Sequence, residues 1–172
     1  LMIRVPEWAK DATIEDANGD VQNVDKESGY WKIPASMVTE GAVFVLSFPM
    51  HVAAYNLPDG ANTYAFQYGP YVLSARLGTS EQKIGYHGVT VMVPVKKAVK
   101  NDTIGILSVD SVEEFMAHIE DNLVKKTDEM VFMLDGTTCG YEFTPHYDQD
   151  EESYGIYWTY YVDKNGRDAQ AI

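Results

Sequence analysis

Apolar and polar side chains alternate most regularly between residues 64 and 75. Aromatic side chains occupy every second position before a break at Gly69-Pro70, and an apolar series follows it: Tyr64, Phe66 and Tyr68, then Tyr71, Leu73 and Ala75. Successive side chains of a strand point to opposite faces, so each half presents one apolar face. Glycine tolerates unusual dihedrals and proline lacks a backbone N–H, so this pair separates two strands. The pattern predicts a pair of strands around which the others pack.

Short apolar runs bounded by turn residues predict further strands. They cover residues 1–5, 12–15, 21–24, 29–34, 42–48, 51–55, 90–95, 103–109, 130–134, 141–143 and 154–162. The run at 42–48 contains the longest apolar stretch and predicts a buried strand. In the last strand Trp158 and Tyr160 are expected to face one way, and Tyr157 and Tyr161 the other.

Asn18-Gly19 lies between two of these runs and predicts a hairpin turn, because both turn positions tolerate positive φ. The acidic residues around it, Asp16 and Asp20, leave a calcium-binding loop open as an alternative. The segment lacks the full Asp/Asn order of such a loop and its later Glu, so the hairpin is the preferred interpretation.

Residues 111–123 carry the pattern of an amphipathic helix. Ser111 and Glu114 form a Ser-x-x-Glu capping box, in which each side chain can satisfy an N–H that the first turn leaves unpaired. Apolar side chains recur at i, i+3 and i+4 spacing: Val112, Phe115, Met116, Ile119 and Leu123. The stripe predicts a short helix packed on a sheet.

Together these elements predict a mostly β fold. We expect an antiparallel β-sandwich, or two small ones, with one short helix near residues 111–123. The polar segment at 78–88 predicts a boundary between two parts. The first β-sandwich portion would then cover residues 1–78. The second would cover 79–172 and include the helix and the C-terminal aromatic strand.

The charge and the cysteine content of the chain limit the classes of ligand and partner that it is expected to bind. The 172 residues have a formal net charge of −13 at pH 7. Nucleic acids and anionic membranes recruit clustered Lys and Arg, so neither is an expected partner. No apolar run approaches the ~20 residues of a membrane span. Cys139 is the only cysteine, which excludes an internal disulfide and a zinc site built from several cysteines.

The residue pattern predicts neither catalysis nor metal binding. An acidic run at 148–152 places carboxylates side by side, whereas a glycosidase needs two that face each other at about 5–10 Å. The four histidines lack the spacing of a metal site, and only His146, beside Tyr147, has polar neighbours in the sequence. Cys139 has no base near it in sequence to form a thiolate. We therefore expect no catalytic residue, no metal site and no cofactor.

Aromatic residues are the remaining candidates for binding, with 12 Tyr and 3 Trp. Such rings stack on sugars, but they also fill cores and domain interfaces, and the latter is the preferred interpretation. Tyr30 and Trp31 are the candidate carbohydrate-binding residues. They are neighbours in a predicted strand, so one of them must face outward.

Several motifs occur in a specific order along the chain. They are Ile3 to Ala9, Asn18-Gly19, Gly29 to Ile33, Phe48 to Met50, Ala65 to Leu73, Phe143 to Asp148 and Tyr154 to Trp158. In this order they resemble the region after the catalytic barrel in the β-L-arabinofuranosidase family, glycoside hydrolase family 127. The resemblance covers most of the chain. It departs at Ser153, where Arg is usual, and at His146, where an aromatic residue is common.

The resemblance implies two β-sandwiches that follow an (α/α)6 helical barrel in an exported, carbohydrate-active protein. In that family the barrel bears the catalytic glutamate and a zinc-held cysteine nucleophile, and this chain looks like the sandwiches alone. We therefore expect a non-catalytic accessory region of a secreted or periplasmic glycoside hydrolase that acts on plant-type glycans.

The expected partner of such a region is the barrel of the same protein. Because the sequence opens inside a predicted strand, we expect it to be a piece of a longer chain. Two alternatives stay open. An independent carbohydrate-binding module would itself bind a glycan, and a stand-alone hydrolase would itself turn over aryl arabinosides.

Overall fold

The protein is mostly β, with antiparallel sheets and two short α-helices, as the sequence predicts. The computed structural model describes residues 1–22, 25–58, 62–77, 83–87, 93–97, 104–107, 111–126, 128–135, 141–149 and 153–162. By its internal contacts the chain divides into two units, Leu1–His51 and Val52–Ile172.

The described residues of the first unit form five strands in two small sheets: β1 (Met2–Arg4), β2 (Thr13–Asp16), β3 (Asp25–Glu27), β4 (Tyr30–Lys32) and β5 (Phe44–Ser47). One sheet has the order β1-β4-β3 and the other pairs β2 with β5, all antiparallel. Side chains from both sheets meet in a core of Val5, Ile14, Trp31 and Ile33. This arrangement of two sheets around one apolar core is sandwich-like.

The Asn18-Gly19 segment forms the predicted hairpin turn. Asp16 N–H donates to the carbonyl of Asp20, Glu15 bridges to Val21, and Gly19 has a φ of +83°. The Asp16 carboxylate accepts hydrogen bonds from the N–H groups of Asn18 and Asp20 at 2.8 and 3.2 Å. A carboxylate bonded to the backbone two residues on is the usual stabilising element of such turns.

Strand β5 differs from its prediction as a buried strand. Val45 is 49% exposed and Leu46 is 37% exposed, while Phe44 packs against the core of the first unit. Within the described residues β5 pairs only with β2. The prediction was wrong because a continuous apolar run shows that burial is favourable but not which face another element covers.

The second unit contains the remaining strands: β6 (Val52–Asn56), β7 (Thr63–Tyr68), β8 (Tyr71–Arg76), β9 (Lys83–His87), β10 (Val93–Lys97), β11 (Ile104–Leu107), β12 (Leu123–Lys125), β13 (Phe132–Leu134), β14 (Glu142–Pro145), β15 (Tyr154–Gly155) and β16 (Trp158–Val162). A nine-stranded, curled half-barrel sheet follows the order β11-β16-β7-β8-β14-β13-β12, with β6 on β7 and β15 on β8. β9 and β10 pair separately. Among the strand pairs that the structure describes, all are antiparallel except β11 with β16, which is parallel.

The predicted strand pair at residues 64–75 is the hairpin β7–β8 at the centre of this sheet. The two strands pair from Tyr68 and Tyr71, next to the turn, as far as Phe66 and Leu73. Beyond Phe66 and Leu73 they separate. At the open end, β16 pairs with β7 at Tyr64 and β15 pairs with β8 at Ala75. Both later strands use the edges that the hairpin leaves open, because β6 and β14 occupy the opposite edges.

The predicted helix is present as two segments, α1 (Val112–Ala117) and α2 (Ile119–Asn122). Ser111 Oγ accepts from the Glu114 N–H at 3.3 Å, and the apolar stripe packs with Phe66, Phe143 and Trp158 in the sheet core. The helix breaks at His118, whose N–H is shared between the carbonyls of Glu114 and Phe115. Leu123, predicted as the end of the helix, begins strand β12 instead.

The division between the units differs from the predicted boundary near residue 78. Strands β7 and β8 were assigned to the first portion, but they pair with β14, β15 and β16 and belong to the second unit. Residues 78–82 and 88, as well as Cys139, lie outside the described residues.

Candidate functional site

A turn that folds back onto strand β8 organises the most distinctive surface of the second unit. The chain leaves β14 at the buried Pro145 and forms a single 3₁₀ turn, His146–Asp148. Gln149 Nε2 then donates to the carbonyl of Ser74 and to Thr144 Oγ1, both at 2.8 Å. These two bonds hold the turn against β8 and satisfy polar groups that are buried there.

Four aromatic rings gather around this turn, and we call them the tyrosine corner: Tyr71, His146, Tyr147 and Tyr154. The rings of Tyr71 and Tyr147 lie 5.8 Å apart at 61°, and those of His146 and Tyr154 lie 4.7 Å apart at 64°. Tyr147 is 72% exposed and Tyr154 is 47% exposed. Such edge-on contacts fix the rings without covering both faces of either one.

Polar and charged groups border the corner. Ser74 Oγ lies 3.3 Å from His146 Nδ1, and Arg76 Nη2 lies 3.8 Å from Asp148 Oδ2. Arg76 is directly opposite Tyr154 in the β8–β15 pair, so their side chains leave the sheet on the same face. The corner therefore combines exposed ring faces with hydrogen-bond donors and acceptors.

Sequence reasoning missed the corner as a unit and found only a part of it. It singled out His146 for its polar company, and the structure gives His146 both Tyr154 and Ser74 as neighbours. Tyr71 lies far from the turn in the sequence and comes beside Tyr147 only because β8 pairs with β14. Tyr154, by contrast, follows His146 by eight residues and contacts it because β15 pairs with β8. The available signal was the placement of Tyr147 and Tyr154 in polar segments at strand ends, where aromatic side chains stay exposed.

The two predicted candidates, Tyr30 and Trp31, point to opposite sides of β4. Trp31 is only 6% exposed and stacks on Phe48 in the first unit's core, with ring centres 6.0 Å apart. Tyr30 is 39% exposed and lines a cavity of about 350 Å³ together with Arg4, Glu7 and Ser28. The outward neighbour is thus Tyr30, and the structure does not bring it together with Trp31 in one site.

The remaining histidines with described side chains have ordinary surroundings. His51 Nε2 lies 3.1 Å from the Asp11 carboxylate, and His118 caps a helical segment. In the part of the chain that the structure describes, His, Cys, Asp and Glu side chains form no group of three that could hold a metal ion. In the same part, no helix combines the length and the apolar character of a membrane span.

The fold and its surfaces define a β-rich protein of two units with exposed tyrosines. Its sequence was compared with protein-family models and with curated proteins, and neither comparison gives a match. The likeness to the β-L-arabinofuranosidase family therefore stays a prediction that rests on the ordered motifs.

Proposed function

We propose that this chain is a non-catalytic accessory region of a secreted, glycoside-hydrolase-like protein and packs against the catalytic helical barrel of that protein. The ordered motifs support the family, and two β-rich units agree in kind with the sandwiches that follow the barrel there. In this role the region breaks no glycosidic bond. It supports the barrel and the substrate cleft for plant-type glycans that the barrel carries.

The observation that carries the proposal is the apolar surface of β5, defined by Val43, Val45, Leu46 and Met50. All four side chains are exposed, and they lie within eight consecutive residues. Val45 and Leu46 are neighbours in the strand and point to opposite faces, so apolar area is exposed on both faces of β5, and soluble domains rarely leave a large exposed apolar area uncovered. Within the described residues β2 is the one strand that pairs with β5, and a strand edge without a partner strand can pair with another backbone.

A longer version of the protein provides the test. If the reading frame upstream of Leu1 encodes a helical barrel, hydrogen exchange should show β5 amides protected in the full protein and less protected in the isolated chain. Val45→Ser and Leu46→Ser should weaken association between separately produced barrel and β region by about tenfold or more, because each removes buried apolar area.

Val124→Ser is the matched control, since Val124 is similarly exposed but lies on β12 of the second unit. Its association with the barrel should equal that of the unaltered chain. An upstream frame without a barrel, or equal β5 exchange with and without it, would contradict the proposal.

An independent carbohydrate-binding role is the second candidate. The tyrosine corner favours it, because exposed tyrosines beside charged side chains offer both stacking surface and hydrogen bonds. This role does not require a barrel, so glycan binding by the isolated chain distinguishes it from purely structural support.

A further inference from the structure

We propose that the tyrosine corner is a binding site for an uncharged saccharide, with Tyr147 as its stacking platform. This inference rests on the second candidate function above and assigns it a place and a ligand class. It is independent of the apolar surface of β5, which belongs to the first unit.

The exposure of Tyr147 is the first step of the argument. Its ring is 72% exposed on a turn that is anchored by Gln149 and by the buried Pro145. A large aromatic side chain held in water by a fixed backbone costs little conformational entropy when it binds. The ring contact with Tyr71 further limits the positions that Tyr147 can adopt.

The polar border is the second step, because it selects among ligands that have an apolar face. Arg76 and Asp148 lie 3.8 Å apart and are both partly exposed, so each has capacity for additional hydrogen bonds. Asp148 follows Tyr147 directly in the turn, so a sugar ring that stacks its C–H face on Tyr147 can direct its rim hydroxyls toward the Asp148 carboxylate and the Arg76 guanidinium that this carboxylate faces. A proline-rich peptide is instead recognised mainly by apolar grooves between aromatic side chains.

Charge is the third step and favours a neutral ligand. The chain carries a net charge of −13, and the cation of the corner, Arg76, already faces the Asp148 carboxylate. An anionic polysaccharide would have to approach an acidic molecule at a site whose cation is partly neutralised. An uncharged saccharide meets no such repulsion.

Calorimetric titration of the full chain provides the test. The ligands are neutral pentose and hexose oligosaccharides, polygalacturonate as an anionic polymer, and a proline-rich peptide. We expect binding to at least one neutral oligosaccharide and none to the other two. Tyr147→Ala should weaken that binding by about tenfold or more, whereas Tyr147→Phe, which keeps the ring, should stay within about threefold of the unaltered chain.

Two control variants locate the site. Tyr55→Ala removes another exposed tyrosine, on β6, and Tyr30→Ala removes the one beside the cavity of the first unit. Both should bind as the unaltered chain does, and thermal unfolding should show that all variants are folded. No binding to any neutral saccharide, preference for the peptide or the anionic polymer, or loss only in Tyr30→Ala would overturn the proposal.

These outcomes remain distinct from those of the barrel experiment. A failed titration leaves the association through the apolar surface of β5 intact. Conversely, a chain without a barrel partner can still bind a saccharide at the tyrosine corner.

Discussion

Glu142 on β14 shows how a single surface contact changes the chemistry of a residue. Its side chain accepts a hydrogen bond from Lys126, and this bond together with the positive charge of Lys126 lowers the pKa of the Glu142 carboxyl. Partial burial opposes the shift, and Arg76 adds a smaller effect in the same direction as Lys126. Both members of the pair are largely exposed, so solvent screening keeps its contribution to stability small.

The lowered pKa gives a pH-dependent prediction. The folded state holds the Glu142 proton less tightly than the unfolded state, so the pair stabilises the fold near neutral pH. That contribution disappears as pH falls through the folded pKa. Glu142→Gln should lower the free energy of unfolding by roughly 0.5 kcal/mol or less at pH 7, and by less at pH 3 than at pH 7. Chemical denaturation at both pH values checks this.

Glu129→Gln is a suitable control, because Glu129 is exposed and belongs to no ion pair among those the structure describes. It should leave the unfolding free energy unchanged at either pH. A larger effect of Glu142→Gln at low pH than at neutral pH would contradict the assigned cause.

At the scale of elements, the periodicity of apolar residues predicted which face of a strand or helix is buried, but not which strands pair with one another. The alternation around Gly69-Pro70 correctly gave the hairpin β7–β8, with Phe66 and Leu73 in the core, and the i, i+3, i+4 stripe gave the buried side of α1 and α2. Sequence position contains no information on which strands fill the open end of that hairpin. For the same reason the contact of Tyr71 with Tyr147 and the pairing of Tyr154 with β8 could not be predicted.

The turn at Asn18-Gly19 gives a prediction about backbone conformation alone. Gly19 has a φ of +83°, and a Cβ built there meets no atom within 4 Å, so a side chain would suffer strain but no clash. Gly19→Ala should lower the free energy of unfolding by about 1–2 kcal/mol. Gly19→Asn should cost less, because Asn tolerates the left-handed region better.

Denaturation monitored through the first unit's tryptophans would measure both substitutions. If Gly19→Ala and Gly19→Asn cost the same, the stability of the turn would have to come from Asp16 and Gln22 rather than from the glycine dihedral. Both of those side chains hydrogen-bond within this segment.

At the scale of the molecule, the two units differ greatly in the cores they can build. The first unit buries four apolar residues in one cluster, whereas the cluster of the second includes Phe66, Phe132, Phe143, Trp158 and Tyr160 among others. Composition indicated a globular protein with ordinary apolar content, but it gave no division at residue 51. That division depends on strand pairing, which composition does not contain.

The unequal cores predict unequal protection in hydrogen exchange. Amides of β7 and β8 should exchange only through the largest openings, because these strands have partners on both edges and carry the buried Phe66 and Leu73. Amides of β4 should exchange through unfolding events of lower free energy, since small units bury less of their surface. Native-state exchange at low denaturant measures both. Equal opening free energies would show that the two units unfold together.

The open end of the hairpin β7–β8 also constrains how the protein is made. The strands that complete this central part of the sheet, β15 and β16, are the last described ones, so a ribosome must deliver the chain as far as Val162 before both can pair. Until then, the unpaired backbone of Tyr64 and Ala75 is available to other nascent chains. During synthesis, we therefore expect the open end of the hairpin β7–β8 to need protection by a chaperone.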